Sequence, residues 1–112
     1  MVGMENNQMT STIDVAHTIV EQLGGSKFIV MTGARRFVGS PTGITFALPG
    51  TGGFTKHSIN RVRIELTPAD TYTVTFFRVH GIRIVTVSQH EDVYFDMLQG
   101  LFTRETGLAV SL

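Results

Sequence analysis

Between Glu21 and Glu65 the chain carries Lys27, Arg35, Arg36, Lys56, Arg61 and Arg63 and no acidic side chain. Cations without a local counter-charge are what meets phosphate or carboxylate: a guanidinium donates to either group in a planar fork, and an ammonium acts as a point charge. Inside that run lies "ALPGTGGFTKH", residues 47–57, where glycines beside a lysine raise the question of a phosphate cradle. A P-loop needs G-x-x-x-x-G-K-[ST], with a helix immediately behind it to aim backbone N–H groups at the anion. Here Phe54 and Thr55 separate Gly53 from Lys56, His57 occupies the hydroxyl position, and a strand pattern follows. Nucleotide binding by this loop is not expected. A looser role stays open, in which its backbone N–H groups, Lys56 and His57 contact a nucleic-acid phosphate or a partner carboxylate.

Other chemistry has less to stand on. The histidines, His17, His57, His80 and His90, show no metal-ligand spacing, and "HEDVY" sets Tyr94 where H-E-x-x-H needs its second histidine. Glu91 and Asp92 fall in the first turn of a predicted helix, where the helix dipole alone accounts for negative charge. No serine stands in G-x-S-x-G, and the chain has no cysteine, so thiolate nucleophiles, thiolate zinc sites and disulfides are excluded. The expectation is a non-enzymatic protein with no catalytic residue, no metal site and no cofactor.

The elements that must position the cations follow from hydrophobic period. Residues 10–23 carry Ile13, Ala16, Ile19, Val20 and Leu23 at helical spacing. Thr10 or Ser11 is the candidate N-cap, Asp14 favours the positive end of the dipole, and Gly24-Gly25 is the stop. The period then changes to two. "KFIVMTG", "ITFAL" and "NRVRIELTP" read as strands, with "TGARRF" turning between the first two. "TYTVTFFRV" and "HGIRIVTVS" complete two hairpins, the second turning at His80-Gly81, so that about residues 61–87 form three consecutive antiparallel strands. Ser88 and Glu91 match the S-x-x-E capping pattern ahead of a helix with Tyr94, Met97, Leu98, Leu101 and Phe102 on one stripe. Gly100 within it suggests a close approach to the sheet or the other helix. Gly107 ends it, leaving residues 108–112 either packed back on the domain or offered to a second subunit.

The fold class expected is α+β: a single antiparallel sheet of about five strands flanked by an N-terminal and a C-terminal helix packed on one face. Residues 1–9 read as a flexible tail and 10–112 as one domain, with no internal repeat. The formal net charge is zero, but Glu91, Asp92 and Asp96 gather near the C-terminus, away from the basic run, so the molecule is expected to be electrically polar. No apolar run approaches the roughly 20 residues that span a bilayer, and "MVGMENNQMTST" lacks the features of a secretory signal. A cytoplasmic location, with no membrane partner, is the expectation.

Alternation then selects a surface. With Val62, Ile64 and Leu66 committed to the core, Arg61 and Arg63 must point from the opposite face, beside Thr71, Thr73, Thr75 and Phe77, and Arg83 joins them if the register allows. Arginine, hydroxyls and an aromatic ring on an exposed sheet can hold phosphates and stack a base. The ordinary alternative is a solvated strand face with Phe77 covering an apolar gap. Arg35 and Arg36 add a plausible anion contact at the strand ends, or keep an edge strand soluble. A homodimer through the apolar tail or a free sheet edge is the further expectation.

"QLGGSKFIVMTGARRFV", "LPGTGGFTKHSINRVRIELTPADTYTVTF" and "YFDMLQGLFTRETGL" together resemble a family of small uncharacterised proteins encoded by tailed phages and prophages. The resemblance covers nearly the whole chain after the tail and brings no established catalytic or binding residues. It implies an accessory factor in the host cytoplasm that binds nucleic acid, or alternatively a protein-binding inhibitor of a host defence complex. The partner expected from the residues is nucleic acid or an acidic protein surface, engaged through Arg35, Arg36, Lys56, Arg61, Arg63, Phe77 and Arg83.

Overall fold

The computed structural model describes residues 15–49 and 55–110. The tail, the Thr10/Ser11 cap and the loop glycines 50–53 lie outside the described residues. Helix α1 runs over residues 15–23 and is followed by α2 (Gly25–Thr32), β1 (Arg35–Ser40), β2 (Gly43–Ala47), a 3-10 turn (Lys56–Ser58), β3 (Arg61–Leu66), β4 (Tyr72–His80), β5 (Arg83–Val93) and α3 (Leu98–Thr106). The strands form one antiparallel sheet in the order β1-β2-β3-β4-β5. The architecture is α+β as its period predicts, but with two N-terminal helices in place of one. No helix among the described residues is long and apolar enough to cross a membrane.

The extra helix corrects the strand expected at "KFIVMTG". Phe28 and Thr32, four residues apart, are fully buried, whereas Ile29 and Val30 are exposed, which is a helical pattern of burial. The Thr32 hydroxyl donates to the Phe28 carbonyl at 2.7 Å and accepts the Ala34 N–H at 3.2 Å, closing the last turn ahead of Gly33. Packing here overrides the strand preference of Ile29 and Val30. Gly24 makes the corner between α1 and α2: its φ is 130°, and a Cβ there would sit 3.2 Å from the Phe28 Cβ, so a side chain meets both a forbidden backbone angle and a crowded neighbour.

The same hydroxyl device ends α3. Thr106 donates to the Phe102 carbonyl at 2.7 Å and accepts the Leu108 N–H at 3.2 Å, and Gly107 follows in the left-handed conformation. Phe28 and Phe102, the carbonyl partners of the two threonines, meet edge to face with centroids 5.1 Å apart, and Phe46 of β2 packs on Phe28 at 5.6 Å. Around them Ile19, Leu23, Ile44, Val62, Ile64, Val74, Phe76, Leu98 and Leu101 complete one core between the helices and one sheet face. Leu108 and Val110 are buried in it, so the tail is packed back as far as residue 110.

Four further local expectations fail. "TGARRF" is not a turn: Arg35 opens β1, and a bulge between Arg35 and Val38 bends the strand. The Ser88–Glu91 capping box does not form, because β5 continues to Val93, Glu91 and Asp92 lie at a bulge opposite Thr73, and α3 starts only at Leu98. Ser88 instead faces the core side opposite Phe76, where the Glu105 carboxylate takes its hydroxyl. Among the described residues Gly100 approaches nothing, since a Cβ there would meet none of their atoms within 4 Å. The second hairpin turns at Gly81-Ile82, one residue later than its sequence suggests, with His80 paired to Arg83.

Candidate nucleic-acid interface

Strand register aligns the cations. Arg35 pairs with Ala47, Ala47 with Arg61, Arg61 with Phe77 and Phe77 with Thr86, a row that crosses the whole sheet. Val62 and Ile64 are buried against the helices, so alternation sends Arg61 and Arg63 to the face that no described helix covers. Arg35 and Arg61 stand two strands apart, about 10 Å at the usual spacing, and with Arg36 they line one cleft of about 170 Å³ floored by Ala47 and Pro49. The bulge at Arg36, whose φ is 57°, brings two consecutive arginines to that cleft.

Asn60, unnoticed in the sequence, forms its rim. Its amide donates to the Val79 carbonyl and its carbonyl accepts the Val79 N–H, both at 2.8 Å, while its own N–H donates to the Phe77 carbonyl at 3.0 Å. The segment entering β3 is thus clamped to β4, and Arg61 leaves a fixed backbone.

No carboxylate among the described residues is ion-paired with the charges in the cleft. Among the described residues the ion pairs are Arg63 with Glu65 at 3.6 Å, Arg104 with Glu105 at 3.5 Å, and His90 with Glu105 at 3.3 Å. None involves Arg35, Arg36 or Arg61. Among the described residues the Arg61 Nε is fully buried and has no hydrogen-bond partner. A buried donor left unmade costs about 1–3 kcal/mol, which an anion in the cleft would recover.

Arg63 and Phe77 extend this surface across the sheet. The Arg63 guanidinium lies 5.0 Å from the Phe77 ring centroid, a cation–π contact. A base would therefore stack on the guanidinium plane and not directly on the ring. The surface Arg63–Glu65 pair, with both side chains about half exposed, holds Arg63 only weakly. The hydroxyls are less available than alternation suggests: Thr71 and Thr75 are buried, the first bonded to the Thr67 hydroxyl at 3.0 Å and the second to the Gln89 amide at 3.1 Å.

Two candidates lie elsewhere. The Lys56 ammonium donates to the Arg104 carbonyl at 2.9 Å, at the C-terminal end of α3, where a cation answers the helix dipole. Arg83 sits at the tip of the β4–β5 hairpin, on the opposite alternation from Phe77. Comparison with protein-family models, curated proteins and solved structures returns no match. The chemistry of the surface is thus read from its geometry.

Away from this face, the Glu105 carboxyl is held below the usual carboxylate range, chiefly because the Ser88 hydroxyl donates to it at 2.8 Å, with His90 and Arg104 adding to the effect. His90 Nε2 is close to Glu105 but out of line for a hydrogen bond, so its contact is electrostatic. Burial pushes the Tyr72 phenol up, although its hydroxyl donates to the Gln22 side chain at 2.7 Å. Among the described residues no three histidine, aspartate or glutamate side chains gather in one place.

Proposed function

We propose that this protein is a non-enzymatic binding module that takes nucleic-acid phosphates in the cleft of Arg35, Arg36 and Arg61, with Arg63 and Phe77 alongside as a stacking surface. The observation that carries the reading is the convergence of three arginines on one cleft with no carboxylate in ion-pair reach among the described residues. Consecutive guanidinium groups on a bulged strand fit the spaced oxygens of a phosphate backbone. The neutral overall charge implies that affinity comes from this local concentration and not from a net field.

The test is a binding titration of the full chain against single-stranded DNA, duplex DNA and RNA at several salt concentrations, with polyglutamate as the acidic-protein control. Three phosphate contacts give a log-log salt slope of about −2 to −3. Arg61→Gln combined with Arg35→Gln should flatten that slope and weaken all three ligands together. No nucleic-acid binding at low ionic strength overturns the reading. Equal affinity for polyglutamate reassigns the cleft to an acidic protein partner.

A further inference from the structure

Strand β5 is an edge strand of eleven residues, Arg83–Val93, and among the described residues no strand pairs with its outer side. Edge strands ordinarily carry devices against pairing: lysine, proline, shortness or a bulge. Residues 83–86 of β5 have none of them. The strand contains neither lysine nor proline, and its aliphatic side chains are offered to solvent: Ile82 in the turn is 98 % exposed and Ile84 68 %. Beyond residue 86 the register against β4 shifts twice, at Val87 and again at Glu91 and Asp92, where Asp92 has a φ of 56°.

Charge along the strand says what covers it. Arg83 stands at one end and Glu91 and Asp92 at the other, with Thr86, Ser88 and Gln89 neutral between them. Laid beside an identical strand in parallel, like charges meet at both ends. Laid antiparallel, the arginine end of each copy meets the acidic end of the other. We propose that β5 pairs antiparallel with β5 of a second copy of this chain, covering Ile82 and Ile84 and joining two five-stranded sheets into one. A two-fold axis relates the copies, so the contact is isologous and closes at two instead of growing into a filament.

Sedimentation equilibrium of the full chain tests this against the 12.3 kDa monomer. The expected result is a concentration-dependent dimer. Ile84→Lys sets a charge on the pairing edge, and Arg83→Glu opposes like charges; each should weaken the dimer by about tenfold or more, with the circular dichroism of the monomer unchanged. Arg83→Glu combined with Glu91→Arg should restore association. A monomer at the highest soluble concentration overturns the proposal. So does a dimer that tolerates both single substitutions, or a double reversal that fails to recover in a chain that is folded.

Discussion

Strands β1 and β5 bound the same sheet, yet the first is six residues long with one bulge, at Arg36, and the second runs for eleven with shifts of register at Val87 and at Glu91 and Asp92. At the β1 edge the bulge turns two adjacent arginines into a cleft. At the β5 edge, charge is pushed to the ends and the middle is left to aliphatic and neutral side chains. The same backbone feature, a residue at positive φ within a bulge, has a different setting at each: Arg36 lies beside a second arginine at a cleft, whereas Asp92 lies where β5 shifts register against β4. An edge strand is a liability unless something occupies it, and the two proposals above give the two edges different occupants, a charged ligand at β1 and a second copy at β5.

The largest effect is expected where the β1 edge joins the core. Phe46 is fully buried and packs on Phe28, Phe37 and Phe102, with Phe37 coming from β1 itself. Phe46→Ala should cost about 3–5 kcal/mol, measured as the change in unfolding free energy in urea. Amide exchange sharpens the comparison. Protection should fall first in β1 and β2, while the β4–β5 hairpin, separated from β2 by β3, keeps more of its own. A uniform loss of protection would mean that the two edges are not separate units.

How far the sequence revealed these edges depends on what each signal measures. Alternation at Val62, Ile64, Val74 and Phe76 is a direct consequence of one buried face, so β3, β4 and the outward direction of Arg61 and Arg63 were legible. The aliphatic run around Ile29 and Val30 was not, because a short apolar run reads alike as strand or helix. A better signal was present in F-x-x-x-T-G, which occurs at residues 28–33 and again at 102–107 and ends a helix each time. The Ser88–Glu91 pattern misled because a capping box is local, while the Glu105 carboxylate that takes the Ser88 hydroxyl lies 17 residues away. The cleft was half visible: Arg35, Arg36 and Arg61 were named from type, but their meeting depends on the Arg35–Ala47–Arg61 register and on a bulge with no sequence mark. The place of Lys56 was not legible, because it is set by a helix end 48 residues away.

A second, smaller effect belongs to the β5 side. Ser88→Ala removes the hydroxyl that donates to Glu105 and should cost about 1–2 kcal/mol at neutral pH, as expected for a hydrogen bond to a charged group. Because the folded Glu105 carboxyl titrates below its ordinary range, its contribution is present above the unfolded carboxylate pKa and disappears as pH falls through the lower, folded value. The gap between wild type and Ser88→Ala in urea midpoint should therefore narrow in acid. A gap that persists unchanged below that range would show that Ser88 acts through packing and not through the carboxylate.

The smallest effect separates stability from binding at the β1 edge. Arg36 holds a left-handed backbone conformation that costs an L-residue about 1–2 kcal/mol, and Arg36→Gly relieves it. Glycine also gains about 0.5–1 kcal/mol of freedom in the unfolded chain, so the net change should lie between zero and a gain of about 1 kcal/mol. The same substitution removes one of three guanidinium groups from the cleft and should reduce the oligonucleotide salt slope by about one. Arg36→Lys is the control, retaining the charge and the strain together and recovering most of the slope with no gain in stability. Strain that lowers stability while placing a charge is what a ligand site built on an edge strand requires. If Arg36→Gly lost stability and left the slope unchanged, Arg36 would be a structural residue, and the contrast between the two edges would reduce to one of length.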